Sequence, residues 1–271
     1  MNRGWQTADG RRPIRSHHLQ SAICNLPSPF PFQGDRVRGT LLPMPSPFSK
    51  RTFAFLSDLA DHNDRVWFHA NQDRYEEDVR NPALDFIDEF AERLLKISPH
   101  FVADARKAGG SLFRIQRDTR FAKDKTPYKT HTGMQFRHVA TRDDVHAPGF
   151  YLHIEPKACY AGVGLWRPAT PDATAIRTKI ATEPAAWKKV AYGKRFTDVY
   201  ELGGDTLQRV PKGIDPDHRY AEDIKRKDFI AGTSLTDKQV MTDSFLADYT
   251  DMCKRAAPFV EFLCEAVGLE F

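Results

Sequence analysis

Residues 149–166 read GFYLHIEPKACYAGVGLW, and the fold class turns on their alternation. In an extended chain Phe150, Leu152 and Ile154 fall on one side, and Tyr151, His153 and Glu155 on the other. After a turn at Pro156 and Lys157 the period of two resumes. Cys159, Ala161, Val163 and Leu165 lie on the apolar side, with Tyr160, Gly162, Gly164 and Trp166 opposite. A period of two on both sides of a short turn predicts paired strands. Upstream, THTGMQFRHV (130–139) and SLFRIQR (111–117) read as two further strands. They add Phe113, Ile115, Met134 and Phe136 to the apolar face, and Arg114, Gln116, His131, Gly133, Gln135 and Arg137 to the polar one. Connections this short favour an antiparallel meander.

Helical spacing surrounds the strands. Phe53, Leu56, Leu59 and Ala60 recur at helical intervals. Asn63 reads as an N-cap, and Asn81 followed by Pro82 opens a helix carrying Leu84, Ile87, Phe90, Ala91 and Leu94 on one face. Thr170 and Pro171 open another, TPDATAIRTKIATE, continued by EPAAWKKVAYG. A small hairpin is expected at DVYELGGDTLQRV, turning at Gly203-Gly204. DHRYAEDIKRKDFIAG (217–232) and DSFLADYTDMCKRAAPFVEFLCEAVG (243–268) read as helices, the second kinked at Pro258. The predicted class is α+β, an antiparallel sheet with N- and C-terminal helices covering one face.

Composition bounds the partners. An apolar fraction of 41% and a charged fraction of 28% over 271 residues suit a globular core. The formal charge of +4 is modest for a dedicated nucleic-acid binder. The four cysteines form no CxxC pair and no zinc spacing, which fits a reducing, cytoplasmic setting, with Cys253 and Cys264 as buried apolar residues. No apolar run approaches a membrane span. Residues 1–47, rich in Pro and Arg, read as a disordered tail before a single domain at 48–271. Met44 as an alternative start and a transit peptide are both open for that tail.

The polar sheet face and the loop beside it draw the functional reading. Glycines 133, 162 and 164 can mark the close approach of a ligand, and Tyr151, Tyr160 and Trp166 suit a pocket wall, although antiparallel sheets also tolerate a merely solvated face. RIQRDTRFAKDKTPYKTH (114–131) sets six cations, Arg114, Arg117, Arg120, Lys123, Lys125 and Lys129, against Asp118 and Asp124. An anionic group would relieve their mutual repulsion, and Arg forks match phosphate or carboxylate oxygens. The expectation is a small anionic ligand held by Arg114, Arg117, Arg120 and Lys125, with Asp118 orienting the arginines. Lys129, Arg137, Tyr151 and Trp166 complete the binding set. Tyr128, His153 and Glu155 are the candidates for proton transfer. His153 and Glu155 with His131 or His138 would resemble a two-His, one-carboxylate triad, but the neighbouring cations oppose it, and neither metal nor cofactor is expected. The alternative is a nucleic-acid-binding module using the 114–129 basic loop, with Phe121, Tyr128 and Phe136 as stacking rings. No nucleophile elbow, Walker A, dinucleotide or HExxH motif appears, so no reaction is specified.

GGSLFRIQRDTRFAKDKTPYKTH, PGFYLHIEP, GVGLWRP, VPKGIDPDH and KRKDFIAG together resemble the family catalogued as domain of unknown function 2461. Its Arg-x-x-Arg-Asp-x-Arg-Phe motif, followed by Asp-Lys-x-x-Tyr, is intact at Arg114, Arg117, Asp118, Arg120, Phe121, Asp124, Lys125 and Tyr128. NDRVWFHANQDRY fits too, with Val66 where the family pattern would place an acidic residue. The resemblance covers about residue 50 to the C-terminus and carries no activity, substrate or catalytic residue to this chain.

Overall fold

The computed structural model describes residues 45–120, 123–142 and 144–271, which lie in one compact unit, Leu42–Phe271. The expected tail up to residue 44, with Cys24, and Phe121 of the basic stretch lie outside the described residues. Residues 45–47 of that expected tail are held: the Ser46 hydroxyl donates to the Val240 carbonyl at 2.7 Å, and Phe48 just beyond is core.

The chain opens with α1 (Lys50–Asp61), capped by a reciprocal Ser49–Thr52 box, and α2 (Arg65–Ala70). Asp64 caps α2, one residue later than expected. Asn63 instead clamps the backbone of Tyr128, donating to its carbonyl and accepting from its amide, both at 3.0 Å. Then α3 (Gln72–Tyr75), a π-helical segment at Glu76–Arg80 and α4 (Asn81–Leu95) follow one another without a break. Asn81 is therefore helical and makes no cap.

The sheet has six strands, all antiparallel, in the order β1-β2-β3-β4-β6-β5. They are β1 (Phe101–Val102), β2 (Thr132–His138), β3 (Gly149–Ile154), β4 (Cys159–Leu165), β5 (Glu201–Gly203) and β6 (Phe229–Leu235). Between β4 and β5 come α5 (Thr170–Thr182), α6 (Pro184–Ala191) and α7 (Lys194–Thr197). Then α8 (Ala221–Ile224) precedes β6, and α9 (Asp237–Val240) and α10 (Phe245–Ala266) close the chain. Among the described residues no helix is long and apolar enough to cross a membrane.

Register accounts for the core. Met134 faces Leu152 and Leu152 faces Ala161, while Phe136 faces Phe150 and Phe150 faces Val163, so one side of the sheet is apolar throughout. α4 and α10 cover it. The rings of Phe90 and Phe136 stand 4.7 Å apart and those of Phe90 and Tyr249 5.1 Å apart, all fully buried. Truncating one of the phenylalanines to alanine costs about 3–5 kcal/mol at such sites. Cys253 and Cys264 are buried on α10, which runs through Pro258.

Three segments depart from the sequence expectation. Residues 226–232, expected in a helix, lead into and begin β6, whose Phe229, Ala231 and Leu235 enter the core while Ile230, Gly232 and Ser234 face outward; this period of two wins over the helical run that ends at Ile224. The expected hairpin at Gly203-Gly204 forms only its first arm, β5, which pairs with β6. SLFRIQR is not a regular strand. It meets β2 through a bridge at Leu112–Met134, while its Gln116–Tyr128 bridge lies within the basic stretch, and alternation fails across it: Phe113 turns to the polar face and Arg114 to solvent.

Candidate functional site

The uncovered face carries three cross-strand rows. Gly133, His153, Tyr160 and Ser234 form one; Gln135, Tyr151, Gly162, Gly232 and Glu201 the next; Arg137, Gly149, Gly164, Ile230 and Gly203 the third. Glycines in the middle of adjacent strands leave a trough where side chains would stand. Its floor includes Gly162 and Gly232, with Tyr151, Tyr160 and Trp166 above it, and the cavity measures about 700 Å³. That is the size of an ordinary small-molecule site. Gly164 has φ +110°, and a Cβ there would lie 2.1 Å from the Phe229 carbonyl oxygen, so only glycine fits that point of the trough.

One cation of the basic stretch reaches this cavity. Residues 115–117 and 127–129 pair as a hairpin of their own, with the Arg117 amide donating to the Pro127 carbonyl at 2.9 Å and the Lys129 amide to the Ile115 carbonyl at 2.8 Å. Lys129, at its base, turns its ammonium over the Phe113 ring at 5.3 Å and lines the cavity. Among the described residues no carboxylate pairs with it. Burial, and then the charge of Arg114, push its pKa down. Gln135 adds a side-chain oxygen that is buried and accepts no hydrogen bond among the described residues, while its amide nitrogen donates to the Val145 carbonyl at 3.1 Å.

The remaining cations are disposed otherwise. Arg117 is bound to Asp124 and Thr126, Arg120 to Asp118 at 2.7 Å, and Lys125 to the Thr119 carbonyl at 2.8 Å. The arginines hold Asp118 and Asp124 down at about 2. Asp118 thus orients a single arginine. Arg114 is exposed, and Arg137 lines a separate cavity of about 20 Å³ with Asp104 and Arg142, donating to the Gly110 carbonyl. Tyr128 is only 6% exposed, stacked on Phe68 with ring centroids 4.0 Å apart, so its ring is part of the core.

A second polar group lies along the same face. The Tyr151 hydroxyl meets His153 Nδ1 at 3.0 Å, and His153 Nε2 meets Glu155 at 3.0 Å. The Thr130 hydroxyl donates to the other oxygen of Glu155 at 3.1 Å. His131 lies against His153 with ring centroids 4.2 Å apart, and Tyr160 stacks on its other side at 4.6 Å. Gly133 makes room for this: a Cβ there would stand 2.4 Å from the Tyr151 hydroxyl. Burial lowers His131 to about 4, and it lowers His153 as well, so both imidazoles are neutral at pH 7. Burial alone would raise Glu155, but the hydrogen bonds from His153 and Thr130 outweigh it and hold the carboxyl below its usual range. Burial raises Tyr151 and Tyr160, which stay protonated.

Of the residues expected from sequence, Lys129, Tyr151 and Trp166 meet in the large cavity, with His153 and Glu155 beside it. Arg114, Arg117, Asp118, Arg120, Lys125, Tyr128 and Arg137 do not line that cavity. The cavity also takes in residues outside that set, among them Gln135, Glu201, Leu202, Gly203, Ile230 and Gly232. The signal for the last two was the alternation FIAGTSL, hidden by the helical run before it.

An α+β protein with an open, glycine-floored cavity on the bare face of an antiparallel sheet is the class that fold and site define. Residues 51–262 match the model of the conserved hypothetical protein (DUF2461) family, and the chain belongs to it. No curated protein and no solved structure matches the chain.

Proposed function

We propose that the protein binds a small anionic ligand in the cavity between Lys129 and Trp166. The observation that carries this is the half-buried Lys129 ammonium, which lines a cavity of about 700 Å³ and has no carboxylate partner among the described residues. An ammonium taken partly out of water gains from an anion, and a charge-assisted hydrogen bond of this kind is worth about 1.5–3 kcal/mol. Tyr151, Tyr160, Trp166 and Phe113 offer ring faces, so the ligand is an aromatic or otherwise flat carboxylate or phosphate. Gln135 supplies an unmet acceptor for a ligand N–H or O–H. Glu201, on the opposite rim, disfavours a second anion there.

The nucleic-acid alternative draws less support. Tyr128 and Phe136, two of the stacking rings it needs, are buried, and Arg117 and Arg120 already hold acids. Proton transfer through the Tyr151–His153–Glu155 chain would make the protein an enzyme acting on a ligand held at Lys129.

Thermal shift against aromatic carboxylates and phosphates, with benzoate and phenyl phosphate as the simplest members, tests the reading. A ligand at 100 times its dissociation constant adds about 2.7 kcal/mol of stability. The shift is expected to vanish in Lys129→Met. If no anion stabilises the wild type, or the same anions stabilise Lys129→Met equally, the reading fails.

A further inference from the structure

His131, His153 and Glu155 each offer one donor atom, and these atoms all lie within 4.8 Å of one another. We infer that they form a binding site for one divalent transition-metal ion, a two-histidine, one-carboxylate set beside the cavity. Two donors held about 2.1 Å from a common ion stand about 3.0 Å apart at a right angle and about 3.4 Å apart in a tetrahedron. His153 Nε2 and the Glu155 oxygen are already 3.0 Å apart. His131 needs to approach by up to about 1.4 Å from that 4.8 Å limit, and among the described residues its ring nitrogens make no hydrogen bond that would hold them back.

The supporting groups fit the same reading. A ligating imidazole needs its other nitrogen held, and a ligating carboxylate needs its second oxygen held. Tyr151 meets His153 Nδ1 at 3.0 Å, and Thr130 meets the second oxygen of Glu155 at 3.1 Å. When Nδ1 carries the proton and donates it to Tyr151, Nε2 turns a lone pair towards the Glu155 carboxylate. Two acceptors facing each other across 3.0 Å require a cation between them. In the bare protein the single proton of the neutral imidazole sits on Nε2 and donates to Glu155; with that proton on Nδ1 instead, an ion would stand between Nε2 and the carboxylate.

Lys129 and Arg117 lie near enough to His131 to repel a cation. The site therefore selects ions that gain from nitrogen donors, such as Zn²⁺, Fe²⁺ or Co²⁺, over Mg²⁺ and Ca²⁺, which favour oxygen ligands. Three protein donors leave coordination positions open. Tyr160, stacked on His153, also lines the cavity, so those positions lie close to it.

The test needs no organic ligand and so stands apart from the anion reading. Metal-stripped full-length protein is titrated with Co²⁺ and followed by its visible d–d absorption, with Zn²⁺ as competitor. The expected result is one equivalent of Co²⁺, displaced by Zn²⁺ and bound at least tenfold more weakly by His131→Ala and by Glu155→Gln. Tyr151→Phe, which removes the support for His153, weakens binding about tenfold. His69→Ala, at an exposed histidine on α2, leaves it unchanged. Circular dichroism checks each fold; should His131→Ala unfold, the near-isosteric Glu155→Gln decides. Binding below one equivalent, or wild-type affinity in the folded variants, overturns the inference.

Discussion

Two buried polar clusters in this molecule differ in one respect, completeness. Around Asp223, only 2% exposed, every donor has its acceptor within the chain: Trp187 Nε1 at 2.8 Å, the Tyr192 hydroxyl at 2.7 Å and Arg226 Nε at 3.0 Å. Arg226 goes on to the Gly203 carbonyl, and Arg177 satisfies the carbonyls of Ile224 and Arg226. At the cavity the pattern is reversed. Lys129 has no acid, the Gln135 oxygen has no donor, and the nitrogens of His131 have no hydrogen bond among the described residues. A closed network holds a fold together; an open one at a cavity is complete only with something bound.

The largest effect that could break this contrast lies at Asp223. Asp223→Ala strands Arg226, Trp187 and Tyr192 and is expected to cost about 3–5 kcal/mol. Urea unfolding measures this, and equal stability in the variant would mean that the network is not structural. Next comes Lys129→Met. Removing a partly desolvated ammonium with no acid partner leaves stability unchanged or slightly higher, while anion affinity falls about 10–100-fold.

The same lysine sets a pH dependence. Only the charged form attracts the anion, and its pKa lies below the ordinary lysine value. Affinity therefore weakens as pH rises through that lowered pKa, and calorimetric titrations carried upward towards the ordinary lysine value of 10.5 follow it. A profile that is flat in the wild type would exclude Lys129 as the anchor. A smaller effect is expected at Gly133. A methyl group there must displace the Tyr151 hydroxyl, costing about 1–3 kcal/mol of overpacking strain and perturbing the His153 bond. Retained stability with an unshifted Tyr151 in a crystal structure of Gly133→Ala would contradict that packing.

Legibility in the sequence followed the same division. Phe150 to Ile154 and Cys159 to Leu165 announced both strands and their faces, because a half-buried sheet enforces a period of two. The trough was legible in its glycines and rings, since Gly162, Tyr151, Tyr160 and Trp166 all lay on one predicted side. Half of its floor was not. β6 follows a short helix whose charged run masks where the period changes, so Gly232 and Ile230 were read into a helix. The basic stretch misled for another reason. Its excess of charge is visible in one dimension, but Arg117 and Arg120 take up the two acids locally, while Lys129 alone is carried to the cavity by the hairpin's base. Which cation reaches the cavity depends on how the loop folds, and composition does not encode that.

The central claim is that the anion sits at Lys129 in the sheet cavity and not on the basic hairpin. Isothermal titration of phenyl phosphate into wild type, Lys129→Met and Arg120→Ala tests it most directly. The account predicts one site in the wild type, weakened at least tenfold by Lys129→Met and unchanged by Arg120→Ala, whose arginine is an exposed partner of Asp118. Binding that survives Lys129→Met and is lost with Arg120→Ala would contradict it.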